Sequence, residues 1–138
     1  GRGTLAQPGL GCCLVPADGL CRGIAYELHM STLDADLEYL WKREMGSGVY
    51  RPTWVELNLD TGEQKAALTF VIREGHVQHT GPMPAQQMAQ IIGRAAGENG
   101  RCRDYLTNTL EEMAKLGEID PLLEKVMTFI DAAEDACN

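Results

Sequence analysis

Glu44 is a carboxylate on the apolar side of a helix, the placement in this chain that most invites proton chemistry. At about 100° per residue, Leu33, Leu37, Leu40 and Trp41 gather on one stripe of the segment Leu33–Met45, and Glu44 falls among them. Asp34, Asp36, Glu38, Lys42 and Arg43 project elsewhere. A carboxylate on a core-facing stripe is costly unless it has a partner, holds a proton or opens into a cavity. Each of these makes it a candidate general acid or base. The competing reading is a rim glutamate: Glu44 lies in the last turn, where a long side chain can bend toward water, and Gly46 and Gly48 follow.

Other reactive side chains carry weaker patterns. Five cysteines, Cys12, Cys13, Cys21, Cys102 and Cys137, form no C-x-x-C pair and are expected as reduced thiols in a cytoplasmic protein. His76 and His79 give H-x-x-H, which could chelate on a helix, but no zinc-type Cys or carboxylate spacing joins them, and no metal is expected. The nucleophile elbow G-x-S-x-G, the Walker loop and the dinucleotide glycine pattern are all missing.

The elements that must position Glu44 can be read from periodicity. Leu10 to Val15 and Leu20 to Leu28 read as strands around the turn cluster Pro16-Ala17-Asp18-Gly19. Ser31, Thr32 and Asp34 open the helix that carries Glu44, and Gly46-Ser47-Gly48 closes it. Tyr50 to Leu59 alternates, with Trp54 on one face and Val55, Leu57 and Leu59 on the other. Asp60-Thr61-Gly62 turns it into a returning strand, Lys65 to Ile72. From Pro84 the period becomes helical: Met88, Ile91, Ile92 and Ala95 with Gly97 as the stop, then Asp104 to Leu116, then a last helix from Pro121. A strand-rich first half and a helical second half predict one α+β domain over residues 1–138.

Composition excludes several classes. Hydrophobic residues at 44% and charged residues at 23% give the balance of a packed domain rather than a disordered chain. A net charge of −8 disfavours nucleic acid, which needs clustered Lys and Arg, and equally an anionic membrane surface. No apolar run approaches the roughly 20 residues of a membrane span.

Several separated segments then fall into the order of one family. These are Arg2-Gly3-Thr4 with Pro8-Gly9, Cys21 to Tyr26, Leu40-Trp41-Lys42-Arg43-Glu44-Met45, and Tyr50 with Pro52-Thr53-Trp54. Ala67 to Val71, Gly81-Pro82, Tyr105-Leu106, and Leu116-Gly117 with Asp120 complete the series. In order and spacing the chain resembles the ChaC-type gamma-glutamylcyclotransferases, most of all their bacterial branch. The resemblance implies a small closed β-barrel flanked by helices. It also implies cleavage of glutathione to 5-oxoproline and cysteinylglycine, with Glu44 as the acid–base group and no metal, nucleotide or other cofactor. Tyr105, Tyr50 and Arg2 are carried over as substrate-binding positions. Family members begin with a strand and a Tyr-Gly-Ser-Leu loop, whereas this chain starts at Gly1-Arg2-Gly3-Thr4. An N-terminally incomplete domain is therefore expected. Two alternatives stay open: a non-enzymatic interaction module on the same framework, and a cyclotransferase for other γ-glutamyl amines. The oligomeric state stays open as well.

Overall fold

The computed structural model describes residues 1–136, so Cys137 lies outside the described residues. They fall into two compact units, one formed by residues 1–12 and 82–136 and the other by residues 13–81.

The first unit is helical. Helices α1 (Ala85–Arg94), α2 (Cys102–Lys115) and α3 (Pro121–Asp135) pack on one another. Their apolar positions recur at helical spacing, so each turns one stripe inward. Ala89 and Ile92 of the first, Cys102 and Leu106 of the second, and Val126 and Ile130 of the third form the buried core together with Ala95. Pro121 opens α3, and the carboxylate of Asp120 accepts from the amides of Leu122 (2.9 Å) and Leu123 (3.1 Å). That cap satisfies donors the helix cannot and contributes about 1 kcal/mol. Gly97 does not stop α1, which ends at Arg94 with Ala95 in extended backbone. Gly97 instead belongs to a short hairpin, β1 (Ala96–Gly97) with β2 (Gly100–Arg101).

The second unit carries α4 (Leu33–Met45) and a regular antiparallel hairpin, β3 (Tyr50–Asn58) with β4 (Gln64–Ile72). Its register pairs Tyr50 with Ile72 and Asn58 with Gln64, and Gly62 holds φ 87° in the connecting turn. Val55 and Leu57 are half-buried while Trp54 is 72% exposed, matching the expected alternation. The buried residues here are few: Val49, Val71 and Ile72.

The α+β class holds, but no closed barrel forms among the described residues; each sheet has two strands. Leu10 to Val15 and Leu20 to Leu28 are not strands. One parallel bridge joins Leu14 to Val71, with the Ile72 amide donating to the Leu14 carbonyl at 2.9 Å. The physical reason is pairing. Alternation describes which side chains would face a core, but a strand also needs a neighbour's backbone. Leu20 is fully exposed, and Ile24 and Tyr26 are exposed as well, so the pattern is present without the sheet that would use it.

Candidate active site

Glu44 sits near the end of α4, on the side that carries the half-buried Leu33 and Leu40. Leu37 and Trp41 of the expected stripe are exposed, so the stripe is narrower than its sequence suggests. The Glu44 side chain is 22% exposed, and its Oε1 lies 3.1 Å from Nε of Arg43. It is thus a partly covered carboxylate with a cationic partner. Glu38 on the same helix is different: it is 66% exposed and bonded at 2.6 Å to Lys42, an ordinary solvated pair.

Tyr50 opens β3, one short loop after α4. It is half-buried, and its carbonyl accepts from Nε of Arg73 at 3.1 Å. Val49 beside it is buried and accepts from the Arg73 amide at 2.8 Å. The backbone of Val49 and Tyr50 is therefore tied twice to Arg73.

Arg2 and Tyr105 belong to the helical unit and are in contact. The Arg2 guanidinium lies over the Tyr105 ring, Cζ being 5.5 Å from the ring centre, and one Nη donates to the Asn99 carbonyl. The Tyr105 hydroxyl accepts from the Cys12 amide at 3.2 Å. Of the four expected site residues, the structure brings these two together, while Glu44 and Tyr50 belong to the other unit. Cys12, Asn99 and Gly97 were not expected as parts of the site. Gly3, Gly9, Gly97 and Gly100 carried the one available signal for them, since glycine permits close backbone approach, although the sequence does not say which glycines meet.

His76 and His79 lie in turns rather than on a helix. Nδ1 of His76 accepts from the Gln78 amide at 3.2 Å, and Nδ1 of His79 lies 3.0 Å from the Glu74 carbonyl. Among the described residues no cluster of three His, Cys, Asp or Glu could hold a metal ion, and no helix is long and apolar enough to cross a membrane.

A family model described as ChaC-like protein matches residues 1–133. The chain belongs to the ChaC-like family. It is 38% identical over 130 residues to the glutathione-specific gamma-glutamylcyclotransferase of Escherichia coli, covering 94% of this chain and 56% of that protein. It is 26% identical over 147 residues to gamma-glutamylcyclotransferase 2-3 of Arabidopsis thaliana, covering 97% of this chain and 73% of that one. The chain thus spans little more than half the length of the Escherichia coli relative.

The surroundings of Tyr105 also fix a pH response. Burial pushes its phenol above the ordinary value of 10.0, and the Cys12 thiol adds to the rise. Desolvation lifts Cys12 above 9.0, with the Tyr105 hydroxyl opposing and Asp120 reinforcing. Burial also lifts the Cys102 thiol. The folded unit therefore prefers the neutral forms of the half-buried Tyr105 and the buried Cys102, whereas the Cys12 side chain is exposed. The contribution of Tyr105 and Cys102 is fully present below the unfolded values, near 9 and 10, and is lost as pH rises through the raised ones. Urea midpoints are expected to fall between about pH 7 and about pH 10. The fall should be smaller in Tyr105→Phe, and a midpoint that rose with pH would contradict the sign.

Proposed function

We propose that the protein cleaves glutathione by cyclising its γ-glutamyl group, releasing 5-oxoproline and cysteinylglycine, on a gamma-glutamylcyclotransferase-like fold. The observation that carries this reading is the 38% identity, over 94% of this chain, to an enzyme named for that reaction. The partly covered Glu44, on the more protected side of its helix, supports it with a chemical group suited to the step.

In the reaction, the α-amine of the γ-glutamyl group attacks its own γ-carbonyl carbon. A ring C–N bond forms and the amide C–N bond to the cysteinyl nitrogen breaks. Glu44 takes the proton from the attacking nitrogen and returns it to the departing one, so no water is consumed and the carboxylate is regenerated. Tyr105 and Tyr50 are assigned to the substrate. Holding the chain coiled, so that amine and carbonyl meet, removes much of the entropic cost of this intramolecular step. No cofactor enters this scheme. The expected compartment is the cytoplasm, where glutathione is kept reduced and thiols such as Cys12 and Cys102 persist.

The test is direct. The whole protein, incubated separately with glutathione and with γ-glutamyl-alanine, is expected to release 5-oxoproline from glutathione in step with cysteinylglycine, followed by chromatography. Release from γ-glutamyl-alanine alone would move the substrate to other γ-glutamyl amines. Release from neither would remove the cyclotransferase reading.

A further inference from the structure

The N-terminal segment is threaded through a crossing that leaves no room for side chains. A Cβ on Gly97 would lie 2.5 Å from the Gly1 carbonyl oxygen and 2.6 Å from both N and O of Gly3. One on Gly3 would run into the Gly9 nitrogen, and one on Gly9 would lie 2.5 Å from the Arg2 carbonyl oxygen. All of these neighbours are backbone, which cannot swing aside as a side chain can. Gly100, at φ 97°, allows the tight turn whose Asn99 carbonyl receives Arg2, and the Asn99 amide donates back to Gly1 at 3.2 Å. The segment is thereby held from both directions, and its one long charged side chain is delivered to one place.

That place is the face of Tyr105. The guanidinium is committed twice, by one Nη to the Asn99 carbonyl and by its position over the ring. Cations so placed are attracted by the ring quadrupole, and Arg adds stacking that Lys lacks. The phenol oxygen is fixed separately by the Cys12 amide. Tyr105 is thus clamped at its helix, its face and its hydroxyl.

We propose that Arg2 is a positioning residue that acts through Tyr105, holding its ring at one orientation, rather than a group that itself grips the substrate. This rests on the assignment of Tyr105 to the γ-glutamyl substrate, and deepens it.

Two arms test it in the whole protein. With ring-13C-labelled tyrosine, the Tyr105 signal is identified by its loss in Tyr105→Phe. Arg2→Ala is expected to shift that signal and Arg2→Lys to shift it less. An unmoved signal in Arg2→Ala would overturn the proposal whether or not glutathione is the substrate. In the second arm, Arg2→Ala is expected to raise KM for glutathione roughly three- to tenfold, the scale of a coupled pair of this kind. Added to Tyr105→Ala, the same change should do nothing more. An equal loss in both backgrounds would mean that Arg2 touches the substrate directly, and would overturn the positioning role. If no γ-glutamyl compound is turned over at all, the kinetic arm fails with the functional reading, while the spectroscopic arm still decides the role of Arg2.

Discussion

Glu44→Gln in the whole protein is expected to lower turnover of glutathione by about 10² to 10⁴, the usual share of general acid–base catalysis. Glutamine keeps the length and hydrogen-bonding reach of the side chain, but it can neither take the proton from the attacking amine nor return it. Folding should be nearly unaffected. The ion pair lost with Arg43 is partly exposed, and such pairs contribute between nothing and about 1 kcal/mol. Glutathione binding should also survive, because the substitution leaves the shape of the site unchanged, so the loss should appear in kcat rather than in KM. Glu38→Gln and Glu56→Gln are the matched controls. Both residues are exposed, Glu38 in its pair with Lys42, and neither change should alter turnover beyond twofold or so. Near-normal turnover in Glu44→Gln would return Glu44 to the class of rim glutamates paired with a neighbouring arginine.

Local chemistry made the helices and the long hairpin legible in the sequence. The span Leu33–Met45 carries its own start at Thr32 and stop near Gly46, and Pro121 sets the first turn of α3 wherever the rest of the chain lies. Asp60-Thr61-Gly62 likewise dictates a turn, and a hairpin's register follows from its turn. Leu20 to Leu28 failed for the opposite reason. Its alternation is as regular as that of β3, but a strand is completed by a neighbour far along the chain, and alternation does not say which. Glu44 stood out because a charge among Leu33, Leu37, Leu40 and Trp41 is a one-dimensional anomaly, although the stripe proves narrower, with Leu37 and Trp41 exposed. The clamp on Tyr105 did not stand out, since it joins Arg2, Cys12 and Asn99 to a helix about a hundred residues from the first of them. Gly97 was misread because a glycine after a helical run most often ends it; here Ala95 ends the helix, and Gly97 serves the backbone crossing.

That crossing carries the other large expected effect. Gly97→Ala adds one methyl group, but the atoms it meets at 2.5 to 2.6 Å are the backbone of Gly1 and Gly3. Contacts this short must be relieved by moving the segment, and overpacking of this kind costs about 1 to 3 kcal/mol, occasionally more. The damage should stay local. Gly97 lies in a two-residue strand, outside the buried cluster of Ile92, Leu106, Val126 and Ile130, so the three helices have no reason to separate. Hydrogen exchange should therefore accelerate at the Asn99 amide, which loses its bond to Gly1, while the amides of Leu106 and Val126 keep their protection. Because the displaced segment includes Arg2, the Tyr105 ring signal should move as it does in Arg2→Ala, although residue 97 is not itself the cation over that ring. Unchanged exchange at Asn99 would mean that the crossing tolerates a methyl group and does not hold the segment. Accelerated exchange with an unmoved Tyr105 signal would separate the crossing from the clamp, leaving the orientation of the ring to α2 and to the Cys12 amide.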